Sequence, residues 1–251
     1  DSTAFTVAAL KETLKCPVTY FSGAVGGLMS NPDDKIRNPS GELLRDGNFE
    51  YAETYGRAVA ELARQAASRG EPVKLTPFVV STKPIAIPIE NPIYRAAREL
   101  GVMRREARTW TGDAERLGEV SSESSAGKAA AIETEVAYLR LGELHIACIP
   151  GELYPELVYG RVQDPIDPGA DFPDAAIEPA VAKVLPGSKW LLVGLANDEV
   201  GNIIPQRQWD EKPPFCYGRK RAQYGEINSC GPSIAPIIMQ ALSNRVAEAS
   251  P

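Results

Sequence analysis

Apolar positions recur along this chain with two different spacings, and the changes of spacing mark its elements. TAFTVAALKETLK, at 3–15, reads as a helix, and PVTYFSG, at 17–23, as a short buried strand. Tyr51, Tyr55, Val59, Leu62, Ala63 and Ala66 lay one apolar stripe along a long helix that ends at Arg69-Gly70, with the glycine as its stop. The β-rich stretch 72–92 carries prolines at 77, 84, 88 and 92, which cannot donate to a ladder, so it predicts an edge strand or two. IYRAARELG is a short helix, and the polar TGDAERLGEVSSESSAGKAA beyond it predicts a mobile loop, with Ser121, Ser122, Ser124 and Ser125 as solvated linker.

The second half has sharper signals. IETEVAYLRLG and HIACIPG predict an antiparallel hairpin turning at Gly142-Glu143. A helix from about Glu152, a Pro/Asp-rich loop at 164–174, a helix near IEPAVAKVL, the strand KWLLVGLA and a closing helix over GPSIAPIIMQALSNRVAEA follow. Helices and strands intermix around at least one hairpin. The order predicts an α/β fold, a layered domain with a mixed β-sheet flanked by helices, rather than a doubly wound parallel sheet.

Composition narrows the function classes. The chain has 251 residues, 43% of them hydrophobic, enough for a full core and a length that fits one large domain better than two. Its 27 basic residues against 33 acidic ones give a net charge of −6, which argues against a nucleic-acid groove or an anionic membrane surface as partner. No apolar run approaches the roughly 18 residues a spanning helix needs. The chain begins at Asp1 without methionine or a leader, which reads as a processed product or a piece of something longer. Cys16, Cys148, Cys216 and Cys230 form no Cys-x-x-Cys pair; Cys148 reads as a core residue, and a Cys216–Cys230 disulfide stays open.

Three expected strands run into sequences that do more than turn: GAVGG at 23–27, Pro150-Gly151-Glu152, and NDEVGN at 197–202. Sites in open α/β sheets gather beyond the carboxyl ends of strands, so Gly26, Gly27, Asn197, Asp198 and Asn202 are candidates for a substrate pocket. Glu152 has two readings: a carboxylate stabilising the first turn of a helix, or an oxygen ligand or general base held at the strand end. Asn197-Asp198-Glu199 reads either as local Asx-turn chemistry or as part of the same acidic site. If Glu152 and Glu199 face one crevice, a cation or a raised pKa must offset their repulsion. His145, the only histidine, reads as structural, GAVGG lacks the lysine-bearing form of a phosphate loop, and YGRKRAQYGE at 217–226 reads as a solvated basic loop or an anion site.

Four stretches, in order, resemble the neutral/alkaline ceramidase family: YFSGAVGGLMSNP, VAYLRLGELHIACIPGELYPELVYGR, LVGLANDEVGNIIP and QYGEINSCGPSIAPII. The likeness is to the C-terminal part of that family's catalytic domain and to its bacterial outliers. It implies a zinc-dependent amidohydrolase acting on a small-molecule or lipid-like substrate, extracytoplasmic, with two histidines, a glutamate and a tyrosine around the metal. Glu152 falls on the family's glutamate ligand, and Glu199 falls where its tyrosine ligand stands. The family's histidines have no counterpart in this chain. The resemblance therefore implies zinc, or another divalent cation, ligated in part by residues of a preceding segment or a second chain. The family's serine-bearing segment also has no match here, so no nucleophile carries over. The competing expectation is a module that keeps the fold without catalysis and holds a polar ligand such as a carbohydrate.

Overall fold

The computed structural model describes residues 2–28, 35–45, 47–121 and 130–250. Ser122, Ser124 and Ser125 of the polar loop, and Ser30, Asn31 and Pro32 of the first family-like stretch, lie outside the described residues. The chain divides into two compact units, Asp1–Phe21 with Leu28–Val73, and Ser22–Gly27 with Lys74–Pro251.

The first unit is a helix pair, α1 (Ser2–Leu14) and α2 (Phe49–Ser68). The Asn48 side chain caps α2 by accepting from the Tyr51 N–H at 2.7 Å. The two helices meet at Gly56, where a Cβ would stand 2.4 Å from the Ser2 carbonyl oxygen, and buried Thr6 donates its hydroxyl to the Gly56 carbonyl at 2.9 Å. This close crossing shifts the buried face to Tyr51, Gly56 and Ala60 and leaves Leu62 66% exposed. Of the expected stripe, Tyr51 is buried and Tyr55, Val59 and Ala63 are half-buried, while Leu62 and Ala66 are exposed, because the close crossing at Gly56 centres the packed face away from them. PVTYFSG forms no strand: among the described residues no ladder pairs with it, and Tyr20 and Phe21 are exposed.

The second unit is built on a mixed sheet. Its strands are β1 (Phe78–Pro88), β2 (Arg108–Thr109), β3 (Ala130–Leu141), β4 (Leu144–Cys148) and β6 (Trp190–Val193), in the order β1-β3-β4-β6 with β2 also on β3. Only the β4–β6 pair is parallel. Pro84 and Pro88 sit on β1 at the sheet edge, where a missing N–H costs no ladder bond. The β3–β4 hairpin turns at Gly142-Glu143 with Leu141 opposite Leu144. Gly142 has φ +59°, and a Cβ there would lie 2.0 Å from the Lys74 carbonyl oxygen, so the turn admits no side chain.

Helix α7 (Ile234–Glu248) packs on β1 and β3. Ile234, Ile238 and Leu242 meet Ile85, Ile87, Val136 and Ile149 in a core with almost no solvent contact. The short helix α3 (Pro92–Glu99) is capped by buried Asn91, whose Oδ1 accepts from the Ile93 N–H at 2.8 Å while its Nδ2 donates to the Ser229 carbonyl at 2.8 Å. No helix among the described residues is long and apolar enough to cross a membrane.

Ile87→Ala is expected to cost about 2–5 kcal/mol, the range for truncating a fully buried aliphatic side chain. Gly142→Ala should also destabilise, through the clash with Lys74, whereas Gly187→Ala, with open space around it, costs only its positive φ. Urea midpoints measured in parallel check all three.

Candidate functional site

The junction after β4 holds two very short strands. β5 (Glu152–Leu153) pairs in parallel with β7 (Asn202–Ile203), Glu152 opposite Asn202. The Glu152 N–H donates to the Gly201 carbonyl at 3.0 Å, and the Tyr154 N–H to the Ile203 carbonyl at 3.2 Å. Gly151 is a glycine because a Cβ would meet the Gly201 carbonyl oxygen at 2.7 Å. Helix α4 (Pro155–Tyr159) begins only afterwards, with Pro155 in its first turn and Gly160 in the left-handed conformation at its end. The first-turn acid is Glu156, not Glu152. The helix-charge reading of Glu152 is thereby corrected, since its backbone is committed to a strand ladder.

The other side of the junction comes from the turn after β6. Leu195 and Asn197 take positive φ, the Ala196 N–H donates to the Ile149 carbonyl at 2.9 Å, and Asp198 Oδ1 accepts from the Glu199 N–H at 2.8 Å. Glu199 Oε1 in turn accepts from the Gly201 N–H at 2.7 Å. Local backbone satisfaction accounts for part of what these side chains do, as Asx chemistry leads one to expect.

Glu152 and Glu199 line one cavity of about 310 Å³, together with Ile89, Tyr94, Ile132 and Tyr224. Asn202 and Cys230 complete the wall on that side. Burial, and then the charge of Glu152, push the Glu199 carboxyl above its ordinary value, against the hydrogen bond from Gly201. Among the described residues neither glutamate makes an ion pair. Arg105 reaches the same cavity, but it is bound to Asp198, with Nη1 2.8 Å from Oδ1. Burial would raise the Asp198 carboxyl, yet Arg105 and Thr134 outweigh it and hold it below the usual carboxylate range. Burial, with nearby negative charge added, pushes the Tyr94 phenol to about 12, so it stays a hydrogen-bond donor throughout the neutral range.

The remaining sequence candidates fall in different places. Gly26 and Gly27 brace β5 from beside the cavity: the Gly26 N–H donates to the Leu153 carbonyl at 3.0 Å and the Gly27 N–H to Asn202 Oδ1 at 3.2 Å. Asn197 and Asp198 line a separate, open polar cleft, where Asn197 donates to Glu135 at 2.5 Å. His145 bonds the Tyr138 hydroxyl at 2.5 Å through Nδ1, in keeping with its structural reading. Cys216 and Cys230 are both free thiols and both buried. Cys148 is half-buried in β4, and burial raises its thiol to about 11. In the basic loop, Arg219 stacks on Tyr217 and pairs with Asp210. Tyr94, Tyr224 and Cys230 escape the sequence patterns, because an aromatic or thiol at helical spacing looks like core. Asn91-Pro92, which fixes where α3 starts, was the available pointer to Tyr94.

Two carboxylates are fewer donors than a zinc ion takes. Among the described residues no group of three or more His, Cys, Asp and Glu side chains is arranged to hold a metal ion. By themselves the described residues do not fit a zinc ion, and the acid–base chemistry they offer in the cavity is that of its carboxyls and phenols.

A Cβ on Gly26 would stand 2.3 Å from the Glu152 carbonyl oxygen and 2.6 Å from the Tyr154 ring. Gly26→Ala is therefore expected to lower the melting temperature by several degrees, while Gly23→Ala, with nothing within 4 Å, changes it little. Glu199, raised by burial and Glu152, adds stability at acid pH that is lost as pH rises through its folded pKa. Glu199→Gln should accordingly melt higher than the parent at neutral pH in chelator-treated protein, with the difference closing toward the ordinary carboxylate value of 4.5.

No protein-family model and no curated protein matches the sequence. Solved structures do. Neutral ceramidase from Pseudomonas aeruginosa superposes with a TM-score of 0.56 at 11% identity, over 98% of this chain and 40% of that one. A ceramidase complexed with C2 gives 0.53 at 12% identity, over 98% and 41%. The chain thus spans about two fifths of the length of the structures it matches. At such identities the likeness is one of backbone architecture, and the conclusion it carries is that this chain has the fold of about two fifths of a neutral ceramidase.

Proposed function

We propose that the protein is a hydrolase of an amide or ester bond in a lipid-like small molecule, and that these 251 residues are the C-terminal part of a ceramidase-like catalytic domain. The reading rests on one observation: Glu152 and Glu199, far apart in sequence, line one partly apolar cavity in a chain with the ceramidase fold. Such a cavity suits an acyl chain against Ile89 and Ile132, with the scissile carbonyl turned toward the acids.

In this proposal Glu152 takes the proton of the attacking water, and Glu199, the raised member, returns one to the leaving nitrogen or oxygen. Tyr94 donates a hydrogen bond to the oxygen that gains charge. In the other form of this proposal the two carboxylates would instead hold a divalent cation, zinc in the first place, together with ligands from outside the 251 residues, and would then serve as ligands in place of acid and base. The protein is proposed to work outside the cytoplasm, with no nucleic acid as partner.

One observation favours a second reading, a non-catalytic module holding a polar ligand such as a carbohydrate: the described residues include no complete metal-binding group. The full-length protein separates the two. Under the hydrolase reading it turns over an N-acyl or ester substrate, and Glu152→Gln and Glu199→Gln each lower kcat/KM by about 100-fold or more, the scale of a lost acid or base. Elemental analysis before and after each substitution reads the share of the two carboxylates in a cation site. Undiminished turnover in both variants would end the proposal, and sugar binding without turnover would support the module.

A further inference from the structure

A second cavity, of about 150 Å³, is lined by Tyr154, Glu156, Asp167, Arg207, Tyr217 and Glu226 among others. Glu226 lies on the short helix α6 (Tyr224–Ile227), which also sends Tyr224 to the first cavity. The glutamate is only 3% exposed, and among the described residues its Oε2 has no hydrogen-bond partner. A buried carboxyl oxygen left without a donor is costly, and native folds seldom carry one without a use.

The charges around it are already committed. Asp210, fully buried, accepts from the Cys216 N–H at 3.1 Å and from Gln223 at 3.4 Å, and Arg219 approaches it to 3.7 Å. Arg219 also rests 5.0 Å above the Tyr217 ring. Arg207 directs its Nε to the Pro173 carbonyl at 3.1 Å. Asp167 uses its two oxygens on the Gly169 and Tyr217 N–H groups, at 2.8 and 3.0 Å. Glu226 takes backbone N–H donors from its own residue and from Asp210 and feels the charge of Arg219, but neither it nor Glu156 makes an ion pair among the described residues. Burial, with the charge of Asp210 added, raises the Glu226 carboxyl to about 7.

Acceptors in excess, with three carboxyls lining the cavity against one arginine, call for a ligand that is positive and rich in N–H donors. An anion is excluded by the sign of the charge. A metal ion needs oxygens converging on one point, and no such group occurs among the described residues. An ammonium group instead takes three acceptors spread around it, and an aromatic face beside them favours it further. We propose that this cavity is a binding site for a small primary amine, with the ammonium seated on Glu226 and the rings of Tyr154 and Tyr217 beside it. The site is distinct from the cavity of Glu152 and Glu199 and does not depend on the hydrolase reading.

The test is calorimetric titration of the intact protein with ethanolamine, and with ethylene glycol as its uncharged counterpart of the same size. Seating a cation requires Glu226 to ionise, so with its carboxyl at about 7 the affinity should rise about tenfold between about pH 6 and about pH 8. At the lower pH the measured heat should also vary with the buffer, because binding releases a proton. Ethylene glycol should not compete, and Glu226→Gln should weaken amine binding at least tenfold while keeping the side-chain shape. Equal binding of the glycol, affinity independent of pH, undiminished binding by the glutamine variant, or no heat at millimolar ethanolamine would each overturn the assignment. If the variant does not fold, the pH dependence of the parent decides alone.

Discussion

Two residue pairs, Glu152 with Asn202 and Leu153 with Ile203, hold the site region of this protein together. A parallel pair this short has little strength of its own, so it depends on what surrounds it. Leu153 and Ile203 are fully buried, and Gly151, Gly201 and Gly26 let three backbone segments approach to distances that no Cβ allows. The Gly26 N–H adds a third backbone segment to the clasp. Without this contact Glu152 and Glu199 would have no common cavity.

Electrostatics divides the acids of the second unit into two kinds. Asp198 and Asp210 each have an arginine, Arg105 and Arg219, and serve as braces between loops. Among the described residues Glu199 and Glu226 make no ion pair, and burial raises both carboxyls. An acid left without a counter-charge in a cavity costs stability, by desolvation and by like-charge repulsion. Such a cost is characteristic of groups kept for ligands or proton transfer rather than for the fold. Helix α6 joins the two instances, with Tyr224 at one cavity and Glu226 at the other.

Much of the sheet was legible in the sequence, because strand alternation and turn residues are local signals. The prolines of β1 announced an edge, Gly142 announced the hairpin, and the apolar run KWLLVGLA announced β6, which covers only Trp190–Val193 of it. The lone histidine, read as structural, sits on β4 with its Nδ1 bonded to the Tyr138 hydroxyl. Local patterns misled where a contact from elsewhere overrode them. The packed face of α2 keeps Tyr51 of the hydrophobic stripe but centres on the crossing at Gly56 and leaves Leu62 out, and PVTYFSG, patterned like a strand, finds no ladder among the described residues. Glu152 looked like a helix-starting charge because Pro155 and Glu156 follow it, yet its N–H is taken by Gly201.

The sequence by itself determined the mixed α/β class, the hairpin, the closing helix and the junctions at which acids would stand, because period and turn chemistry are written in neighbouring residues. Tertiary structure alone decided which acids share a cavity, which are neutralised, and that Tyr94, Tyr224 and Cys230 join Glu152 and Glu199. Those outcomes depend on pairing between segments some fifty residues or more apart, such as β5 with β7. Periodicity carries no record of partner choice; close packing and the need to satisfy buried backbone groups make that choice.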